Sequence, residues 1–384
     1  MIYSFSKISP VPVLFGDGAS EQTGAKLKEL GVSKVVLLTD KVILKVAGKV
    51  IDSIKNEGIE VVVFDGVLSD PPDHVIEECA ALAKAENVDG IVGVGGGSSL
   101  DTAKAVNALM NNPSPVTRYF DKSIQLNPGK VLVLLPTTSG TGSEVTGHAV
   151  VTDTKTHVKS GVVGPPCSAD LAIVDPELTS GMPPAVTAGT GMDAFAHAAE
   201  AVTSLFTNPV SDAVAEKVMY LVNNYLPRAV EDGSDKVARN KMSLAALMGG
   251  IAFSDALPHL PHAISHAVRA YGEVPHGLGC AIALPGVIEL SGKVMPEKIK
   301  IIGTAMGVQV DNLSDDELAN RVADSVRALN DKVGVTAALK DFGIGKETLK
   351  EIVPRVLQDD CANHVPKELK VDEEVVLKLL NELY

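Results

Sequence analysis

Short aliphatic and β-branched runs recur along the first 180 residues, and the segments between several of them have apolar residues at helical spacing. This pattern predicts strands at 35–40, 61–66, 90–97, 131–138 and 171–176. Apolar strands that alternate with amphipathic helices are typical of a parallel, doubly wound sheet. The first half of the chain is therefore expected to be an α/β domain.

The hydrophobic pattern changes at MPPAVTAG (182–189), and beyond it almost no β-rich run remains. The segment 211–226 has its apolar residues on one helical face, and the tail from Ser314 to Tyr384 is a succession of amphipathic helical patterns. We expect an α/β domain at residues 1–184 followed by an all-helical domain at residues 185–384.

Composition and charge exclude several kinds of partner. The formal net charge is −14, whereas nucleic-acid-binding proteins usually present a basic patch and anionic membranes attract basic ones. No apolar run approaches the roughly 18 residues of a membrane span, and the N-terminal residues lack a signal-peptide pattern. The cysteines are few and scattered, which favours reduced thiols and a cytoplasmic protein.

Two turns that follow predicted strands are candidates for phosphate binding. The first is GVGGGSSLDTAKA (93–105), where glycines would let an anion approach the backbone and the next helix would offer its free N–H groups. The second is PTTSGTGSE (136–144), which is rich in hydroxyl groups and glycine. A tight strand-to-helix turn and a polar loop are the alternative interpretations of these two stretches.

Asp40 is the last residue of the strand predicted at 35–40. An acidic side chain at a strand's carboxyl end can accept hydrogen bonds from a ribose, and it can equally cap the next helix. In the usual dinucleotide-binding order the glycine turn precedes the acid by about 20 residues. Here the acid comes first, so this is not a standard Rossmann unit.

Histidines are concentrated in one stretch. Four of the nine in the chain lie in LPHLPHAISHAVRAYGEVPHG (257–277), whose prolines and glycines are unfavourable for a regular helix. Upstream, Asp193 and His197 are four residues apart, so on a helix they share one face. A carboxylate and several imidazoles suit a catalytic divalent metal. The alternative is a set of buried histidines that satisfy local hydrogen bonds.

Together these motifs resemble the iron-containing (group III) alcohol dehydrogenases. The resemblance runs nearly end to end and rests on the two turns above and on IVDPELT, TAGTGMDAFAHAAEA, NPVSDAVAEK and the histidine-rich segment that ends in VPHG. It implies the fold shared with dehydroquinate synthase, namely a nucleotide-binding α/β domain followed by a helical metal-binding domain, with the metal and the nicotinamide meeting between them.

The resemblance also assigns residues to the site. The metal, Fe²⁺ in the cell and replaceable by Zn²⁺ in vitro, would be held by Asp193, His197, His262 and His276. His266 would stand beside the nicotinamide and take part in proton transfer. The residues expected to bind NAD are Asp40, Gly97, Ser98, Thr137, Thr138, Thr141, Val150, Lys159 and Leu178. The Asp40 carboxylate should favour NAD over NADP, because it would repel a 2′-phosphate.

Three residues depart from the pattern of the family and concern the substrate. His148 is at a position that lines the substrate site in relatives, His259 replaces a small residue, and Arg269 stands where a glycine-rich turn is common. Because arginine pairs with carboxylates and sulfonates in a fork geometry, these residues suggest a short aldehyde with an anionic head group.

The reaction implied is reversible hydride transfer between a small primary alcohol and NAD, with the metal as Lewis acid. Glycerol dehydrogenase-like polyol oxidation and a dehydroquinate synthase-like lyase are the alternatives within this fold, and a non-catalytic metal- or nucleotide-binding protein is the alternative outside it. We expect a homo-oligomer, a dimer or larger, with no nucleic-acid or membrane partner.

Overall fold

A computed structural model describes residues 11–156 and 158–384 of the chain. It has two compact units. One comprises the described residues up to Thr138 together with Gly142–Gly181, and the other comprises Ser139–Thr141 together with Met182–Tyr384. The first is an α/β unit and the second is helical.

A six-stranded sheet forms the centre of the α/β unit, and each neighbouring pair of strands is parallel. Its strands are β1 (Val13–Phe15), β2 (Lys34–Leu38), β3 (Glu60–Phe64), β4 (Gly90–Gly95), β5 (Val131–Pro136) and β8 (Leu171–Val174). Their order is β1-β8-β5-β4-β2-β3. The central strand β4 is buried along its whole length, as expected for a parallel sheet that is covered on both faces.

Four helices connect these strands: α1 (Thr23–Glu29), α2 (Leu44–Asn56), α3 (Asp73–Ala85) and α4 (Gly97–Met110). Gly31 and Gly58, which follow α1 and α2, have φ values of 78° and 77°. This left-handed conformation is where glycine commonly ends a helix. The expectation of a parallel sheet with connecting helices is confirmed.

The sequence pattern did not predict the antiparallel ribbon of β6 (His148–Asp153) and β7 (Val158–Val163). Only alternate residues of β6 are buried, so the ribbon lacks the continuous apolar run that marks the central strands. The edge strand β1 was also missed, because it is only three residues long.

The helical unit consists of nine helices within its described residues. They are α5 (Pro184–Thr203), α6 (Pro209–Glu231), α7 (Lys236–Ala256), α8 (Leu260–Arg269), α9 (His276–Gly292), α10 (Pro296–Met306), α11 (Asp315–Lys332), α12 (Leu349–Gln358) and α13 (Glu373–Glu382). Helix α5 is buried almost throughout its second half. Its alanines allow α6, α7 and α9 to pack closely around it. No helix among the described residues has the length and apolar character needed to cross a bilayer.

The histidine-rich segment is more helical than its prolines suggested. Pro261 falls in the first turn of α8, where a missing backbone N–H costs no hydrogen bond. Pro275 immediately precedes α9, whose first residue is His276. The prolines therefore delimit two helices, so the segment is not one continuous helix, although more than half of it is helical.

Candidate metal site and nucleotide-binding loops

Helix α5 contributes the first two side chains of the candidate metal site. Asp193 and His197 lie one turn apart on this helix, and both are buried. The His197 ring stacks on Phe253 of α7, with ring centroids 4.3 Å apart. This aromatic contact restricts the orientation of the imidazole.

Helices α8 and α9 bring two more histidines to the same place. The Nε2 atom of His262 lies 3.0 Å from His197 Nε2 and 3.7 Å from Asp193 Oδ1. His276 Nε2 lies 3.6 Å from the same Asp193 oxygen. Ligands bound at about 2.0–2.2 Å to one tetrahedral ion lie roughly 3–4 Å from each other. The four side chains that the family resemblance assigns to the metal thus converge from three helices.

Burial dominates the electrostatics of this cluster. It raises the pKa of Asp193 to about 8, with the nearby Glu200 charge as a further cause. It also lowers the pKa of His262 to about 3. A neutral imidazole is the form that binds metal. A buried carboxylate is costly unless a cation accompanies it.

Asp193 supplies the test of whether this site fits a metal. Its Oδ1 atom is buried, and none of the described residues donates a hydrogen bond to it. Buried polar atoms are rarely left in this state. Because two imidazole Nε2 atoms lie 3.7 and 3.6 Å from it, a divalent cation shared with them is a suitable partner for this oxygen. The donor set of one carboxylate and three imidazoles fits Fe²⁺ or Zn²⁺.

Two further residues adjoin the cluster and were not singled out from the sequence. Glu200 is fully buried and lies 2.6 Å from His262 Nδ1. Cys280 offers a sulfur within 4.8 Å of the ligand atoms of Asp193, His262 and His276. The spacing Asp-x-x-x-His-x-x-Glu in α5 could have indicated Glu200, because residues at i, i+4 and i+7 share a helical face.

His266 lies beside the cluster. Its ring stacks on His276 with centroids 5.2 Å apart, and its Nδ1 atom is 3.0 Å from Asp359 Oδ2. Burial opposes ionisation of Asp359, but the hydrogen bond to His266 and the His266 charge outweigh it, so the pKa of this carboxyl lies below its usual value. Asp359 was not identified from the sequence.

The three residues proposed for the substrate have different surroundings. His259 has no exposed surface, and its Nε2 atom lies 2.9 Å from Thr203 Oγ1. Arg269 is at the end of α8 and donates to the Val274 carbonyl at 3.0 Å. His148 begins β6 in the α/β unit and is partly exposed. The burial of His259 places it inside the helical unit and not on a surface that a substrate could reach.

The two predicted phosphate-binding turns are neighbours in the α/β unit. They follow β4 and β5, which are adjacent, and Thr137 N donates to Gly95 O at 2.9 Å. A side chain at Gly96 would lie 3.3 Å from Thr138 Cγ2, and Gly97 begins α4. Ser98 Oγ accepts from Asp70 N at 3.3 Å. The glycines therefore let the N-terminus of α4 lie close to the turn at 136–144, which we call the threonine turn.

The other predicted NAD-binding residues are spread over several elements. Asp40 Oδ1 accepts from the backbone N–H groups of Val42 and Ile43, so it caps the turn before α2. Lys159 Nζ lies 2.6 Å from Asp70. Val150 is in β6, Leu178 is buried near β8, and Thr141 belongs to the helical unit.

The buried side chain of Lys104 donates hydrogen bonds to residues at and just beyond the end of the threonine turn. Lys104 of α4 is fully buried and donates to Ser143 Oγ at 2.8 Å and Thr146 Oγ1 at 2.9 Å. It also donates to the His148 carbonyl at 2.9 Å. Burial lowers the pKa of Lys104 although Asp101 is nearby. These contacts join α4 to the loop that leads into β6.

Comparison with known protein families gives two matches that together span nearly the whole chain. The model described as iron-containing alcohol dehydrogenase matches residues 10–176. The model described as the C-terminal part of the Fe-containing alcohol dehydrogenase family matches residues 187–384.

Individual relatives are similar over almost their entire length. A choline dehydrogenase from Bacillus subtilis (strain 168) is 37% identical over 365 residues, which are 94% of this chain and 90% of the relative. An NAD-dependent methanol dehydrogenase from Bacillus methanolicus is 33% identical over 368 residues, 95% of this chain and 96% of the relative.

Solved structures agree with this similarity. A 1,3-propanediol oxidoreductase has a TM-score of 0.94 at 33% identity, with 100% of both chains covered. A sulfoacetaldehyde reductase from Bifidobacterium kashiwanohense in complex with NAD⁺ has a TM-score of 0.87 at 26% identity, with 100% of this chain and 99% of that chain covered.

Proposed function

The chain belongs to the iron-containing alcohol dehydrogenase family, and we propose that it is an NAD(H)-dependent enzyme that interconverts a small primary alcohol and its aldehyde at a metal held by Asp193, His197, His262 and His276. The NAD preference is supported by the named cofactor of the methanol dehydrogenase relative and by the NAD⁺ complex of the sulfoacetaldehyde reductase.

The observation that carries this proposal is the buried Asp193 oxygen without a hydrogen-bond donor among the described residues, flanked by imidazole nitrogens at 3.6 and 3.7 Å. A structural histidine cluster would satisfy its own hydrogen bonds. A donor set that leaves one carboxylate oxygen without a hydrogen bond is better explained by a cation.

The surrounding residues have distinct parts in the reaction. When bound, the metal supplies Lewis-acid polarisation of the substrate oxygen. His276 is the ligand with the larger exposed fraction, 31% of its side chain against 4% for Asp193, so it faces the accessible side of the site. His266 is stacked against it and is placed to move a proton, while Asp359 holds the Nδ1 side of the His266 ring.

A short aldehyde with an anionic head group is the narrower substrate candidate. The sulfoacetaldehyde reductase structure supports it, whereas the choline dehydrogenase relative is named for a cationic alcohol. Of the three residues that suggested an anionic group, His259 contributes least, because it is completely buried. Arg269 and His148 remain the candidates for contact with a head group.

Replacing His276 with alanine tests the ligand set. We expect His276→Ala to lose most of its bound metal and its NADH-dependent aldehyde reduction. His74→Ala is the matched control, since His74 is a surface histidine with 63% of its side chain exposed. If His276→Ala keeps the metal content and activity of the unmodified protein, His276 is not a ligand.

A further inference from the structure

We propose that Glu200 is a positioning residue that orients His262 for metal binding and at the same time anchors the backbone that leads into α8. The inference rests on the proposed metal site, and it adds a residue outside the four ligands.

The two oxygens of Glu200 have separate partners. Oε1 lies 2.6 Å from His262 Nδ1, and Oε2 accepts from the His259 backbone N–H at 2.6 Å. Because a carboxylate is an acceptor, the proton of the His262 ring resides on Nδ1, and the lone pair is left on Nε2. That Nε2 atom is the one directed at His197 and Asp193. Histidine ligands of metals commonly have such a carboxylate partner.

The anchoring role follows from the backbone before α8. Leu257 has a φ of 59°, a left-handed conformation that is unusual for a residue other than glycine. His259, the N-cap residue of α8, has no side-chain capping bond. Its own backbone N–H donates to Glu200 Oε2 at 2.6 Å. One side chain of α5 therefore fixes both the entry of α8 and the ring of His262 in its first turn.

The negative charge of Glu200 also supports its role as a positioning residue beside the metal. Asp193 and Glu200 lie on one face of α5 and are both buried. Two carboxylates match the charge of one divalent cation when the three histidines are neutral. A glutamine in place of Glu200 would keep the volume and one acceptor for His262, but it would lose the charge and an acceptor for His259.

The experiment compares Glu200→Gln and Glu200→Ala with the unmodified protein after removal of metal with a chelator. The affinity of each for Co²⁺ and Zn²⁺ is measured by competition with a chromophoric chelator. Removing such a partner typically lowers metal affinity by about 10–100-fold. We expect that loss in Glu200→Ala and a smaller one in Glu200→Gln. Glu144→Gln, which alters a buried carboxylate of the α/β unit, should leave both affinities unchanged.

A second readout separates positioning from a purely structural role. In the Co²⁺-loaded protein, the His262 Nδ1 proton should give a hyperfine-shifted NMR signal that exchanges slowly, because it is buried and bonded to Glu200. Glu200→Ala should abolish this signal or accelerate its exchange. If Glu200→Ala does not fold, Glu200→Gln decides the question by affinity.

Two outcomes overturn the inference, and they are distinguishable. In the first outcome, the unmodified protein binds Co²⁺, the affinities of both Glu200 variants for Co²⁺ lie within threefold of its affinity, and the proton signal is retained. Glu200 then does not position His262. If the unmodified protein itself binds neither Co²⁺ nor Zn²⁺, the proposed metal site fails together with this inference.

Discussion

The two oxygens of the Asp359 carboxylate have different hydrogen-bond partners. Oδ2 lies 3.0 Å from His266 Nδ1, and Oδ1 accepts from Cys361 N at 2.9 Å. The first contact places a proton on Nδ1 of His266, so that Nε2 is the ring atom through which a proton can be taken up or released. The second caps the turn that follows α12. Asp359 therefore combines control of the His266 tautomer with a local structural bond.

We predict that Asp359→Asn lowers kcat by about tenfold to a hundredfold, within the range expected when proton transfer is impaired. The amide can still cap the turn, but its NH₂ group would favour the other His266 tautomer. Metal content should not change. Steady-state kinetics and metal analysis of the purified variant check this. An unchanged kcat would show that His266 does not depend on Asp359.

A second residue, Asp40, is predicted to set the cofactor preference. Like charges about 4 Å apart repel by roughly 4 kcal/mol at an effective dielectric near 20, and screening would reduce this to about 1–3 kcal/mol, or roughly tenfold to a hundredfold. Asp40→Gly should improve the use of NADPH, but it also removes the bonds to Val42 and Ile43.

Asp40→Asn is the cleaner variant, because its amide oxygen can still accept those two bonds while the charge is absent. We expect kcat/KM for NADPH to rise by about tenfold in Asp40→Asn. Kinetics with both reduced cofactors measure this. Equal kcat/KM for NADH and NADPH in the unmodified protein would contradict the role given to Asp40.

At the scale of elements, the metal site depends on how closely α9 approaches α5. A Cβ atom at Gly277 would overlap the carbonyl oxygen of Gly189 and lie 3.0 Å from Asp193 Cβ. Glycine at this position therefore lets His276, the preceding residue, come within 3.6 Å of Asp193. The closeness of the two helices is a requirement of the site.

We predict that Gly277→Ala displaces the start of α9 and lowers Co²⁺ affinity by at least about tenfold, as expected when the ligand geometry is disturbed. Gly249→Ala is the control, since its Cβ would meet only Ala194 O at 3.7 Å, an ordinary contact. Competition titrations of both variants measure the effect. Unchanged affinity in Gly277→Ala would show that the helices can separate without loss of the site.

Much of the element pattern was predictable from hydrophobic periodicity. The central strands and the long helices stood out because their apolar residues are continuous or recur at helical spacing. Histidine and aspartate content pointed to the metal ligands with the help of the family resemblance. The β6–β7 ribbon was missed because only alternate residues of β6 are buried.

Glu200 and Asp359, which contact His262 and His266, could not be predicted from hydrophobic periodicity or from the family resemblance. Glu200 shares the helical face of Asp193 and His197, so its spacing was visible, but a glutamate on an alanine-rich helix is most often solvent-exposed. Asp359 lies 93 positions from His266 in sequence. Contacts over such separations arise from tertiary packing and leave no local pattern.

For the whole molecule, buried carboxylates should make stability depend on pH. Burial raises the pKa of Glu144 to about 7, above its usual value of 4.5. The pKa is higher in the folded protein than in the unfolded chain, so protonated Glu144 favours the folded state. This contribution to the free energy of unfolding is complete below pH 4.5 and is lost as the pH rises through 7. Such a shift corresponds to at most about 3 kcal/mol.

We predict that Glu144→Gln becomes more stable relative to the unmodified protein as the pH is raised from 5 to 8, by about 1–3 kcal/mol. Other titrating groups cancel in this comparison. Urea unfolding of both metal-free proteins at the two pH values measures the difference. A difference that does not change with pH would mean that Glu144 is already ionised in the folded protein at pH 5.

The central claim is that the four-residue cluster holds a metal which NADH-dependent aldehyde reduction requires. The most direct measurement strips the protein of metal, adds Fe²⁺ under anaerobic conditions and follows NADH oxidation with a panel of small neutral and anionic aldehydes. We expect no turnover before Fe²⁺ is added, turnover of at least one aldehyde afterwards, and the loss of most of this turnover in His276→Ala. Equal turnover by the metal-free protein, or none with any aldehyde after loading, would contradict the account.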